Sequence, residues 1–287
     1  MLEAPEARLF ATQLAGVLTG KTIETVIAGF TPHKFTFYNP APEAFAGVLV
    51  GRTVTGARPV GGMVEILAGE VSLVFTDGVN FRYIEPPGDL PRSHQLLIGF
   101  TDQSCLTASV RMYGGIISFT GRKPEGNLAG YYETALNRPQ VLSDGFTREY
   151  FMSLVEDPAV RNKSVKALLA TGQRISGLGN GALQDILFHA GIHPKTGTSR
   201  LSSRELDKLY ESIKCTLGKM VAEGGRDCET DIFGRKGGYR AVLSKDTAGS
   251  PCPVCGAAII KENYMGGSVY YCPVCQPLKT TVRPEGK

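Results

Sequence analysis

Four cysteines, Cys252, Cys255, Cys272 and Cys275, form two Cys-x-x-Cys knuckles with sixteen residues between them. Each knuckle presents two thiolates, and four thiolates make a closed tetrahedral site. Zn²⁺ is the first reading, with an iron site or a disulfide pair as alternatives. A closed set leaves no open coordination position, so one structural ion would hold a hairpin too small to fold alone. At the other end, MLEAPEARLF brackets Pro5 with the carboxylates Glu3 and Glu6. Such a pair can exchange protons with a reacting group. It can equally start a helix, because Pro5 suits the first turn and Glu6 faces the positive end of the dipole. A third cluster, Gly177-Leu178-Gly179-Asn180, is a glycine turn that opens a helix. It reads either as backbone N–H groups offered to an anion or as a close helix crossing. His189 and His193 are four apart but run through a helix end, so a second metal site is not expected.

The elements that must carry these groups follow from periodicity. Residues 5–18 read as a helix with Leu9, Phe10, Leu14, Val17 and Leu18 on one face. From 20 to 120, short runs rich in Val, Ile, Phe and Thr alternate with Gly, Pro and Asp, which predicts an antiparallel β-sandwich or barrel. The stretch to about residue 147 reads as a connector. Residues 147–222 are helical, with Asn162 as one cap and a capping box of Ser202 or Ser203 with Glu205. Between the knuckles, AAIIKENYMGGSVYY reads as two strands around Met265-Gly266-Gly267, either a nucleic-acid contact or a plain clip. The fold class is α+β. The expected domains are a β-sandwich catalytic-type domain over 1–130, a linker over 131–147, a helical domain over 148–225 and a zinc-finger domain over 226–287.

Charge is divided unevenly along the chain. Residues 1–150 hold 12 Lys+Arg against 14 Asp+Glu, and residues 151–287 hold 19 against 13. A basic back half suits a nucleic acid or another acidic surface, or is a plain surface imbalance. No apolar run approaches the ~18 residues of a membrane span. The acidic start predicts no export leader and a cytoplasmic protein. There, seven cysteines argue for metal or thiols rather than disulfides. Cys105, Cys215 and Cys228 stand alone and read as buried filler.

Taken in order, MLEAPE, a β domain, GLGN, HAGIHP, IFGR and CPVCQ resemble the formamidopyrimidine-DNA glycosylase / endonuclease VIII family of base-excision repair enzymes over almost the whole length. The resemblance implies a helix–two-turn–helix fold, a zinc finger, double-stranded DNA with a base lesion or abasic site as partner, and a monomer. If the chain is bacterial, it implies association with the nucleoid. It implies Glu3 and Glu6 as catalytic residues, and Asn180, Gly179, Lys166, Arg111 and Tyr113 as DNA-binding residues, with Asp185 in place of a glutamate. Arg111 and Tyr113 would fill the gap left by a flipped base, with Met112 where a second arginine is usual and Val79 where the family has an intercalating methionine. Read without the family, Tyr113 is a core aromatic on a strand. Three groups depart from the pattern. Leu2 stands where the family has its nucleophilic proline, Gly62 where it has a lysine and Gly267 where it has an arginine. The expectation is a glycosylase that uses Glu3 to activate water and has weak or absent abasic-site lyase activity, with another amine such as Met1 or a lysine as a further route to the imine. The alternative is a catalytically inactive protein that binds damage or abasic sites. Arg240 and Lys245, in the Gly-rich GGYRAVLSKDTAG, read as a solvated and mobile loop or as lesion contacts.

Overall fold

The computed structural model describes residues 2–86 and 88–280, so Met1 lies outside the described residues. The fold is α+β, and the chain divides into two compact units. One holds the residues through Arg138 together with Met220–Tyr239. The other holds Pro139–Lys219 and the residues from Arg240 onward.

The first unit opens with α1 (Ala4–Leu18) and continues through β1 (Ile23–Ala28), β2 (Thr36–Asn39), α2 (Phe45–Leu49), β3 (Gly56–Val60), β4 (Met63–Ala68), β5 (Val71–Phe75), β6 (Val79–Ile84), β7 (Leu96–Phe100), β8 (Cys105–Val110) and β9 (Gly114–Thr120) to α3 (Ala129–Asn137). The strands form two sheets, ordered β1-β7-β8-β6 and β2-β9-β5-β4-β3. One apolar cluster joins them. Phe75 of β5 meets Phe81 of β6 edge-to-face at 4.8 Å, and Phe10 of α1 meets Phe81 at 5.8 Å. The expected antiparallel pattern holds except at β2, which pairs parallel to β9. On α1 the buried face is Ala7, Phe10, Ala11, Leu14 and Leu18, while Leu9 and Val17 are half-buried. The small alanines let the helix approach the sheet closely. The expected linker 131–147 begins inside α3, whose Tyr132 and Ala135 pack on Val60, Met63, Val74 and Ile117. Residues 220–239 return to this unit: Ile232 enters the main core, and its carbonyl accepts from Tyr83 N–H at 2.8 Å.

The second unit contains α4 (Arg148–Glu156), α5 (Val165–Ala170), α6 (Ala182–Ala190) and α7 (Ser203–Ala222) through Lys219, then the hairpin β10 (Ile260–Tyr264) and β11 (Gly267–Tyr271). Thr147 caps α4, and α6 stops at Gly191 in the left-handed conformation, φ 70°. The cap of α5 is Ser164, whose hydroxyl accepts from Ala167 N–H, rather than Asn162, which lies two residues too early. The hairpin turns at Met265 and Gly266, both with positive φ, as a two-residue loop between twisted strands requires. No described helix is long and apolar enough to cross a membrane.

Candidate functional site

At the start of α1, Glu3 is the N-cap and Glu6 the third helical residue, and they form a reciprocal capping box. The Glu3 N–H donates to Glu6 Oε2 at 3.3 Å. Both carboxylates are buried, and Arg226 meets them. Its Nε and Nη2 donate to the two Glu6 oxygens at 2.8 Å each, a bidentate pair, and its Nη1 lies 3.5 Å from Glu3 Oε1. Burial alone would lower the Arg226 pKa, but the charges of Glu3 and Glu6 outweigh it and raise the value well above the ordinary one. Composition and spacing did not reveal Arg226, because 220 residues separate it from Glu6. Leu2 is 4% exposed and belongs to the main core, and its N–H donates to the Asp77 carbonyl at 2.6 Å.

Asp77 stands in a tight turn between β5 and β6 with φ 29°, a region that non-glycine residues rarely enter. The turn is fastened to the β8–β9 loop. Thr76 Oγ1 accepts from Gly115 N–H at 2.8 Å, Gly78 N–H donates to Tyr113 O at 3.1 Å and Arg111 N–H to Gly78 O at 3.2 Å. A Cβ on Gly78 would lie 2.3 Å from Tyr113 O, so only glycine fits. The loop tip, Arg111-Met112-Tyr113, is exposed, and Tyr113 at 46% is no core aromatic. Val79 is different. It is 1% exposed on β6 and opposite Val110, so it packs in the core and cannot act as a wedge. Beside the turn opens a pocket of about 480 Å³ lined by Phe37, Tyr38, Asp77, Tyr113 and Glu125 among others. Burial, then the Glu3 charge, pushes the Asp77 carboxyl above the usual carboxylate range. Gly62 lies buried in the turn between β3 and β4.

In the second unit Asn180 is exposed, and its Nδ2 donates to Ser268 O at 2.9 Å. Lys166 is 3% exposed, and its Nζ donates to Tyr264 O at 2.5 Å. Burial pulls its pKa down. Gly267 lies beside both: a Cβ there would be 3.6 Å from Asn180 Nδ2 and from Lys166 Nζ. Gly179, half-buried, accepts from Leu183 N–H. Two buried residues fix this corner. Gln184 donates to Ser268 O at 3.2 Å and accepts from Tyr270 N–H at 3.0 Å, joining α6 to β11. Asp185 accepts from Val242 and Leu243 N–H at 2.9 and 2.8 Å. The expected mobile loop is therefore tethered at its centre, with Arg240 and Lys245 exposed on either side.

The sulfurs of Cys252, Cys255, Cys272 and Cys275 lie within 4.8 Å of one another, with 3.8 Å between Cys252 and Cys275 and 3.4 Å between Cys255 and Cys272. A tetrahedron with metal–sulfur bonds of ~2.3 Å has an edge of about 3.8 Å, so the four thiolates fit one ion. Gln276 accepts from Cys272 N–H at 3.0 Å and donates to Ile192 O at 2.9 Å, anchoring the second knuckle behind α6. His193 packs its ring on Tyr271 at 4.2 Å instead of facing the cluster. Cys215 and Cys228 are exposed and Cys105 is half-buried, so none of the three is buried filler.

The model of the formamidopyrimidine-DNA glycosylase H2TH domain matches residues 138–231. The formamidopyrimidine-DNA glycosylase of Geobacillus kaustophilus (strain HTA426) is 31% identical over 290 residues, spanning 96% of this chain and 100% of that protein. The one from Brevibacillus brevis is 30% identical over 96% and 99%. In fold, the chain is similar to the MutM (Fpg) protein of Thermus thermophilus, with TM-score 0.78, 22% identity and coverage of 96% and 99%. It is likewise similar to Lactococcus lactis Fpg in complex with DNA containing an abasic site, with TM-score 0.80, 23% identity and the same coverage. With the relatives matched end to end, the chain belongs to the formamidopyrimidine-DNA glycosylase family.

Proposed function

We propose that this protein binds damaged duplex DNA, turns a lesion base out of the stack and hydrolyses its N-glycosidic bond, with weak or absent strand cleavage. The observation that carries the reading is the state of Leu2. With Met1 before it, its nitrogen is a peptide nitrogen, already donated to Asp77 O, and its side chain lies in the core. No imine forms there, and β-elimination depends on an imine. Glu3, steadied by Arg226 and the capping box, remains as a base. A water oxygen bonds to C1′, the C1′–N bond breaks with its pair leaving on the base, and Glu3 takes the water proton. In this reading the β-rich part carries the chemistry, including Glu6 as partner to Glu3 and Arg226. Asn180 and Gly179 hold the backbone, the buried Lys166 steadies the hairpin behind them through Tyr264 O, and Arg111 and Tyr113 refill the vacated stack. Cys252, Cys255, Cys272 and Cys275 would hold one Zn²⁺, which cross-links the hairpin beside Asn180.

End-labelled duplexes carrying oxidised, alkylated or deaminated bases, or an abasic site, test this. Breaks are expected only after hot alkali, and Glu3→Gln is expected to lower base release by ~10²–10⁴-fold. Direct nicking would overturn the reading of Leu2. A second reading, a binding protein without catalysis, is favoured by glycine at 62 and 267 and by the burial of Glu3. It requires tight binding to one duplex, no breaks on any, and no effect of Glu3→Gln on affinity.

A further inference from the structure

The pocket beside the Thr76–Gly78 turn has a definite chemical character. Its volume of about 480 Å³ lies inside the range of small-molecule sites, ~300–1,000 Å³. Phe37 and Tyr38 line it with aromatic surface apart from the Tyr113 wedge, and Phe37 is 55% exposed. The charged side chains in its wall are Asp77 and Glu125, and no lysine, arginine or histidine is among the described lining residues. Asp77 links this wall to Glu3: its carboxyl feels the Glu3 charge, and its carbonyl accepts from the N–H of Leu2, the residue before Glu3. The Asp77 carboxyl, raised by burial and by Glu3, gains from a positive neighbour. Aromatic faces with carboxylates and no cation suit a flat, positively charged guest. A neutral oxidised base gains nothing from the two carboxylates, and an anionic base meets repulsion.

We infer that this pocket receives a cationic N-alkylated purine turned out of the duplex, in preference to a neutral oxidised base. The inference rests on the glycosylase reading above and names its substrate class. The chemistry agrees with the site. An alkylated purine ring already carries the charge that protonation would otherwise supply. When water bonds to C1′, the pair of the breaking C1′–N bond neutralises the ring, and Glu3 takes the proton. The products are a neutral alkylpurine and an abasic sugar. Neither an acid for the leaving group nor an amine nucleophile is required, and Leu2 supplies no such amine.

The test compares affinities for duplexes carrying one N7-methylguanine or one 8-oxoguanine, each on a 2′-fluorinated sugar that blocks hydrolysis. The methylated duplex is expected to bind at least tenfold more tightly, and Asp77→Asn or the surface change Glu125→Gln to lower that ratio severalfold. Equal binding, tighter binding to 8-oxoguanine, or a ratio untouched by both variants overturns the inference. Release measured on unfluorinated duplexes separates it from the broader reading. Release of 8-oxoguanine but not of N7-methylguanine sinks the substrate class and leaves the glycosylase standing. No release from any duplex sinks the hydrolytic reading, and the binding ratio still decides what the pocket takes.

Discussion

Arg226 lies buried between Glu3 and Glu6, with two of its nitrogens on Glu6. Removing one partner of such a buried pair leaves charge without compensation, which costs about 3–5 kcal/mol. Arg226→Met is therefore expected to lose that much in urea unfolding. Arg226→Lys should lose less, because it keeps the charge but not the two-pronged geometry. If both variants unfold like the wild type, the pair is not a structural support. At this scale the sequence was legible where chemistry is local. Glu3, Glu6 and the four cysteines could be read from spacing. Arg226 and Gln184 could not, since each acts on a partner 220 or 86 residues away and no periodicity marks it.

Among the elements, α7 shows how a cap becomes pH-dependent. Ser202 N–H and Oγ donate to Glu205 Oε2 at 2.9 and 2.8 Å, and Lys279 Nζ meets Glu205 Oε1 at 2.5 Å. Burial pushes the Glu205 carboxyl up, but Lys279 and Ser202 outweigh it and bring it down to about 2. The folded value lies below the unfolded one, so this stabilisation is present above the ordinary glutamate value and is lost as pH falls toward 2. Glu205→Gln is expected to cost about 1 kcal/mol at pH 7, the size of a typical cap, and nothing near pH 2. Thermal unfolding of both proteins across that window measures it, and a constant difference would refute it. Elements with strong periods, such as α1, α6 and the hairpin, were legible in the sequence. α3 was not, because its N-cap, Leu128, makes no side-chain cap bond. Nor was the parallel partner of β9, a four-residue strand whose pairing depends on distant chain.

For the whole molecule, the order of motifs indicated the family, while the division of the chain did not follow from it. The expected domain bounds fall at 130 and 225, while Met220–Tyr239 packs with the β-rich unit, where Ile232 and Arg226 are buried. The cysteine cluster gives a further expectation. Each chain should release one Zn²⁺ to a strong chelator, and amide exchange should rise across 252–276 while the strands of the β-rich unit stay protected. Protection that survives metal loss would make the ion dispensable. The returning segment also sets an order of assembly. Glu3 and Glu6 leave the ribosome well ahead of Arg226, which follows 220 residues after Glu6. At ~5–20 residues per second that interval is about 10–45 s. During it the β-strands can form while the two carboxylates wait for their cation, so the part of the site that is made first is among the last to be finished.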